Sequence, residues 1–173
     1  DWLHAVQLSA GRAQLSFCSL LPAEVPDWPA GPLTLRQIWA FYPYENSLVT
    51  VEATGRQVRA ALERSANCVA RPSELGRNCD SLAGAEYALD PKRPAGRRVV
   101  SLRRGGRDVV DEDVFLVAIN SYRASGGGGY PMWKGAKRVS EAGNIRDLLV
   151  ADARAKKRFR LEADGNWKVV GRP

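Results

Sequence analysis

An apolar run that leads into a glycine tract constrains the fold of this chain more than any other feature. Residues 114–119 read Val-Phe-Leu-Val-Ala-Ile, the length and composition of a buried strand. Asn120 and Tyr122 follow, and then come the four glycines 126–129. Since glycine has no Cβ, this backbone can adopt positive φ values and a flat ligand can approach it closely. The segment is therefore either a flexible surface loop or a binding loop in which Tyr122 offers a ring for stacking.

The rest of the chain alternates between short strand and helix patterns. Strands are predicted at 15–20, 47–53, 83–90, 99–102, 108–110, 114–119, 159–162 and 167–170. Helices are predicted at 1–10, 34–40, 56–67 and 144–155, with Thr34 as an N-cap and Val58, Ala61, Leu62 and Ser65 facing the core. A long loop is expected at 70–80. This mixture predicts a single α+β domain with a mixed β-sheet and flanking helices.

Composition narrows the functional classes. The chain has 173 residues and a net charge of +7, which raises the possibility of nucleic-acid binding. The basic residues, however, surround a predicted hairpin or close a predicted helix, and no nucleic-acid motif is present, so we expect no nucleic-acid partner. No apolar run has the length of a membrane span. Because the chain begins at Asp1 without Met or a signal peptide, we expect it to be processed or cut from a longer protein.

The three cysteines suggest different roles. Cys18 lies in an apolar run and is expected to be a buried small hydrophobe. Cys68 and Cys79 bracket a stretch rich in Pro, Gly and Arg, a spacing that suits a loop-closing disulfide in an exported protein. The alternative is a pair of free thiols in a reducing compartment. With His4 as the one histidine, a zinc site is not expected.

Several motifs, in a fixed order, extend over nearly the whole chain. They are residues 31–48, 49–58, 84–90, 96–99, 120–131 and 164–169. Their order resembles the C-terminal, substrate-recognition domain of the 5′-nucleotidase family, which includes bacterial 2′,3′-cyclic-nucleotide phosphodiesterase/3′-nucleotidases. Residues 42–46 and 122–124 are more similar to the cyclic-phosphodiesterase branch. The resemblance implies that residues 1–173 form one such domain, and it favours the Cys68–Cys79 disulfide because members of this family are mostly exported.

The resemblance also implies a base held between two aromatic rings. Tyr122 matches the second ring, in the loop before Gly126, Gly127 and Gly128, and these residues are expected to contact the substrate. The first ring should lie within residues 76–80, where Cys79 stands instead. Gly128 occupies the place at which the 5′-nucleotidase branch carries an acid that binds ribose.

Further polar residues are candidates for the same site. Asn46 matches the Asn of the family's Pro-aromatic-x-Asn motif, and it would bind either the nucleoside or a neighbouring loop. Asn120 would read a base edge or cap the strand end, and Asp80 would bind ribose or cap a turn. Arg123 would reach a phosphate or lie at the surface, and the surface is the expected place.

The resemblance assigns the chemistry to another domain. It implies a separate N-terminal metallophosphoesterase domain, absent from this chain, that holds two divalent metals. This chain has one histidine and neither an Asp-x-His nor a Gly-Asn-His-Asp signature, so we expect it to bind no cofactor and to be inactive alone. We expect a nucleotide-binding domain of a periplasmic, cell-surface or extracellular bacterial hydrolase. The alternatives are a non-catalytic module with an altered ligand, favoured by Cys79, and a nucleic-acid-binding domain, favoured by charge alone.

Overall fold

The computed structural model describes residues 1–19, 30–71, 78–158, 160 and 163–171. The helices are α1 (Trp2–Ala10), α2 (Leu35–Phe41), α3 (Gly55–Ala70), α4 (Ser121–Ala124) and α5 (Ile145–Lys156). The strands are β1 (Leu15–Ser19), β2 (Ser47–Thr54), β3 (Asp80–Ala83), β4 (Glu86–Leu89), β5 (Val99–Arg104), β6 (Arg107–Asp108), β7 (Val114–Asn120), β8 (Lys137–Asn144) and β9 (Trp167–Val169). Two short 3₁₀ turns, Gly127–Gly129 and Pro131–Trp133, follow α4.

The strands form two mixed sheets. The larger sheet has five strands in the order β3-β1-β7-β2-β8, in which only the β1–β7 pair is parallel. The smaller sheet has four strands in the order β6-β5-β4-β9, with β4 and β9 parallel. The predicted α+β architecture with a mixed sheet is therefore confirmed.

Alternation along the central strands places a core on each face of the larger sheet. Phe115, Val117 and Ile119 of β7 lie in one buried cluster, together with the inner face of α3 and residues of the smaller sheet. Ala118 lies in a second buried cluster that α1 and α5 complete. Because side chains on a strand alternate between faces, one strand contributes to both cores. The larger sheet therefore has a buried cluster on each of its two faces.

Local capping explains where the helices begin. Thr34 and Thr54 each accept a hydrogen bond from the backbone N–H three residues on, and the glutamine at that position bonds back, which is a capping box. Asn144 caps α5 in a similar way by accepting from Arg146 N. The predicted core face of α3 is confirmed, since its four members are buried: Val58, Ala61, Leu62 and Ser65.

One strand prediction was wrong, and one observed strand was not predicted. Residues 83–90 do not form one strand, because the chain leaves the larger sheet after β3 and enters the smaller one at β4. Gly84 lies between them at φ +90°, and a Cβ there would approach Gln14 O to 2.2 Å. The sequence pattern also missed β8, an edge strand whose residues are mostly exposed and therefore carry no apolar alternation. Of the loop predicted at 70–80, residue 70 ends α3, residue 80 begins β3, and residues 72–77 lie outside the described residues, as does most of the predicted strand at 159–162.

The cysteines lie where the sequence suggested. Cys68, in α3, and Cys79, directly before β3, form a disulfide. Cys18 is buried and unpaired with another cysteine, and its Sγ lies 3.2 Å from His4 Nε2. Burial lowers the pKa of His4 to about 4 and raises the pKa of Cys18 to about 12, so both groups are neutral at pH 7. In the described ranges, no helix combines the length and the apolarity needed to cross a membrane.

Candidate functional site

The larger sheet brings distant parts of the sequence to one edge. Ser19 ends β1 opposite Asp80, where β3 begins, and Asn120 ends β7 opposite Leu48, near the start of β2. Because β1 and β7 are parallel and both neighbours run antiparallel to them, these four strand ends meet at the same edge. The loops that follow or precede them therefore converge there.

A cleft of about 360 Å³ opens at this edge. Its lining residues come from four chain segments: Ser19, Tyr44, Glu45, Asn46, Asn78, Asn120, Tyr122 and Arg123. Two aromatic residues line the cleft, Tyr44 from the segment between α2 and β2 and Tyr122 from α4. A cleft with two rings and a few amide groups suits a flat ligand with polar edges.

Each of the two tyrosine rings packs against another part of the protein. Tyr44 packs edge-to-face on buried Tyr42, with ring centroids 5.7 Å apart. Tyr122 lies against the backbone of Gly127, since a Cβ on that glycine would come within 2.4 Å of the ring. The Tyr122 side chain keeps 49% of its surface exposed. The ring therefore has one supported side and remains accessible from the cleft.

Arg123 lies beneath the cleft, so the expectation of a surface arginine was wrong. Its side chain is 2% exposed and pairs with fully buried Asp80, to which Nε and Nη2 each donate at 2.8 Å. Nη2 also donates to Ser19 Oγ at 2.9 Å, and Nη1 donates to Asn78 Oδ1 at 3.5 Å and to Gly127 O at 3.3 Å. Burial lowers the pKa of Arg123, but Asp80 outweighs this and raises it overall. An arginine side chain has five N–H groups, so each of them has an acceptor within the protein.

The asparagines of the cleft have structural roles as well. Asn120 Oδ1 accepts from Arg123 N at 2.8 Å and caps α4, while its Nδ2 donates to Tyr42 Oη at 3.5 Å. Asn46 Oδ1 accepts from Ser121 Oγ at 3.5 Å, which joins the loop before β2 to α4. Burial raises the pKa of the Tyr42 hydroxyl, and hydrogen bonds with Asn46 and Asn120 offset part of that rise. Both amides are thereby held at the floor of the cleft.

The predicted site residues separate into two groups. Tyr122, Asn46 and Asn120 line the cleft. Five others do not line it: Cys79, Asp80, Gly126, Gly127 and Gly128. Cys79 is buried in its disulfide and Asp80 in its ion pair. The glycines lie against side chains: Gly126 against Lys134, Gly127 against Tyr122 and Gly128 against Arg123. Their contact with a substrate remains a prediction.

The sequence reasoning did not single out Tyr44 and Glu45 as site residues. The available signal was their position directly before a predicted strand that pairs with the strand feeding the glycine tract. Glu45 is exposed, and its Oε1 accepts from Arg146 Nη2 at 2.8 Å. The Arg146 guanidinium also lies 5.0 Å from the centroid of the Trp39 ring. Arg146 therefore contacts both Trp39 and the Glu45 carboxylate.

A larger groove of about 1040 Å³ lies between α2 and the end of α5. Its lining contains apolar residues of α2 and basic residues near residues 154–160, but no aromatic ring among the residues that line it. It includes none of the predicted site residues. We therefore take the smaller cleft as the candidate site.

Comparison with known proteins identifies the family of this chain. Residues 1–135 match the family model described as 5′-nucleotidase, C-terminal domain. The chain belongs to this family. A trifunctional nucleotide phosphoesterase protein of Bacillus subtilis (strain 168) is 30% identical over 168 residues, covering 82% of this chain and 12% of that protein. A 2′,3′-cyclic-nucleotide 2′-phosphodiesterase/3′-nucleotidase of Haemophilus influenzae is 30% identical over 172 residues, covering 81% of this chain and 26% of that protein.

A solved structure shares the fold of this 5′-nucleotidase C-terminal domain. The 5′-nucleotidase precursor from Thermus thermophilus superposes with a TM-score of 0.86 at 24% identity, covering 99% of this chain and 35% of that one. The chain thus spans only about an eighth to a third of the proteins it matches. Within the described part of this chain, no group of three or more His, Cys, Asp or Glu side chains is placed to hold a metal ion.

Proposed function

We propose that this chain is the nucleoside-binding domain of an exported 5′-nucleotidase-type phosphoester hydrolase. The enzyme would be a 5′-nucleotidase or a 2′,3′-cyclic-nucleotide phosphodiesterase/3′-nucleotidase. The observation that carries the proposal is the placement of Tyr44 and Tyr122 in one cleft at the edge of the larger sheet. Stacking a base on an aromatic ring contributes about 1–3 kcal/mol. The membership of the chain in the family supports the same ligand class.

The proposed role of the cleft is orientation. Tyr44 and Tyr122 would hold the base, and the asparagine amides would bond its edges or the ribose hydroxyls. A separate domain of the same polypeptide would hold two divalent metals and supply the water activation and charge neutralisation of the hydrolysis. Fixing the nucleoside here would bring its phosphate to those metals. The reaction of the phosphate with the activated water would then proceed within one oriented complex and would not depend on a random collision. This chain alone would bind and not hydrolyse.

Three features bear on the location and the ligand. The Cys68–Cys79 disulfide suits an oxidising compartment, as expected of a periplasmic, cell-surface or extracellular protein. Tyr44 supplies a ring that the sequence had not assigned, so Cys79 no longer favours a changed ligand. The cleft also lacks a free cation among its described lining residues, since Arg123 is fully engaged.

The test is calorimetric titration of this chain with adenosine, AMP and 2′,3′-cyclic AMP. Tyr122→Ala and Tyr44→Ala are each expected to weaken binding about 5- to 150-fold, the equivalent of one lost stacking contact. Val139→Ala is the matched control, because this residue is 49% exposed, as Tyr122 is, and lies outside the cleft. Absence of saturable binding by the folded chain, or equal affinities for the three variants, would contradict the proposal.

A further inference from the structure

We propose that Gly127 is a positioning residue for Tyr122, so that the glycine tract acts on the ligand through the ring and not by touching it. This inference rests on the proposed function, since the ring it positions is the one expected to stack on the base. It assigns the tract a role different from close approach of the ligand.

The ring and the glycine are in direct contact. A Cβ built on Gly127 would lie 2.4, 2.5 and 2.6 Å from Cε2, Cδ2 and Cζ of Tyr122. Real Cβ atoms essentially never come within 3.0 Å of another heavy atom, so a side chain at this position requires the ring or the Gly127 backbone to shift. The backbone of Gly127 therefore forms the surface against which the Tyr122 ring packs.

Conformation does not explain a glycine at this position. Gly126, Gly128 and Gly129 have φ values of +87°, +69° and +83°, which favour glycine by themselves. Gly127 has no such positive φ, so alanine could adopt its backbone conformation. The contact with Tyr122 is therefore the constraint that the structure gives for glycine at position 127.

The Gly127 peptide is itself held in place by hydrogen bonding. Arg123 Nη1 donates to Gly127 O at 3.3 Å, and the guanidinium is fixed by Asp80 through two bonds of 2.8 Å. A Cβ on Gly128 would approach Arg123 Nη1 to 2.2 Å, so the next glycine lets the guanidinium come this close. The buried ion pair thereby fixes the peptide that supports the ring.

A ring held in one orientation loses less rotamer freedom when a base stacks on it. Gly127→Ala should displace the ring without removing it and should raise the dissociation constant for adenosine about 2- to 12-fold. In a Tyr122→Ala background the added methyl group has no ring to displace. The same change is then expected to leave the residual adenosine affinity unaltered.

The experiment combines two measurements on the full chain. First, 3-fluorotyrosine is incorporated and ¹⁹F NMR spectra are recorded, with the Tyr122 signal assigned by its loss in Tyr122→Phe. Gly127→Ala should shift this signal and leave that of buried Tyr87, in β4 of the smaller sheet, unchanged, whereas a general loosening of the fold would move both. Second, adenosine binding is measured for Gly127→Ala with and without Tyr122→Ala, by ligand NMR where affinity is low.

Each outcome decides the inference. A shifted Tyr122 signal with weaker binding that depends on the ring supports it. An unshifted Tyr122 signal overturns it, and so does an equal loss of affinity in the Tyr122→Ala background, because the glycine would then contact the ligand itself. If the wild-type chain binds no adenosine, the proposed function fails, while the Tyr122 signal still decides whether Gly127 positions the ring.

Discussion

Replacing Asp80 by alanine should destabilise the fold far more than a comparable change at the surface. The Asp80 side chain is fully buried, and its two oxygens accept the Nε and Nη2 bonds of Arg123 and a third bond from Ser19 Oγ at 3.0 Å. The variant removes the acceptor of two N–H bonds of a buried guanidinium and leaves its charge without the carboxylate. Loss of one partner of such a pair costs about 3–5 kcal/mol.

The matched control is Asp111→Ala. Asp111 pairs with Arg56 at 3.2 Å, but the two side chains are 45% and 75% exposed. Exposed pairs of this kind contribute about 0–1 kcal/mol. The free energy of unfolding is measured from urea titrations of the oxidised protein by tryptophan fluorescence, with the slope checked for constancy.

A double variant, Asp80→Leu with Arg123→Met, separates the pair from the packing. Because it removes both charges together, its cost should be smaller than the sum for Asp80→Leu and Arg123→Met measured singly. The reasoning is refuted if Asp80→Ala costs no more than Asp111→Ala, or if the two single costs simply add.

Three other changes test the interior. Burial lowers the pKa of His4 in the folded state to about 4, below its ordinary value of 6.5. The free energy of unfolding should therefore have its full value above pH 6.5 and should fall by about 3 kcal/mol as the pH drops to 4. His4→Gln should flatten this profile in urea titrations. Replacing Cys68 and Cys79 by serine opens a loop with a sequence separation of 11 and should cost about 3 kcal/mol, visible as a lower urea midpoint that reductant no longer changes. Tyr130→Phe deprives Asp80 N of the oxygen to which it donates at 2.9 Å, and should cost about 1–3 kcal/mol in the same assay; a change below about 0.5 kcal/mol would contradict this accounting of the hydrogen bond.

The sequence predicts elements well where one local rule decides them. The cap at Thr34, the buried face of α3 and the strand before Asn120 follow from side-chain chemistry and periodicity. It fails where the tertiary structure decides. The step between the two sheets at Gly84 depends on a contact with Gln14, which no local pattern shows.

The candidate site shows the same limit. Tyr122 is identifiable because an aromatic before a glycine tract is unusual, whereas Tyr44 becomes a site residue only through the order of the strands. Local reasoning treats Arg123 as one exposed arginine among many. Its burial requires Asp80, which lies 43 positions away in the sequence and reaches it through sheet pairing.

The convergence of strand ends has a consequence for folding and for fragments. The parallel pairing of β1 with β7 places Leu15 opposite Val117, so the two sides of the cleft meet only after a loop of about a hundred residues closes. No peptide shorter than residues 19–123 contains the whole lining. Affinity for the proposed nucleoside ligand would therefore report completed long-range assembly, and refolding followed by nucleoside binding would time the closure of β1 onto β7 itself.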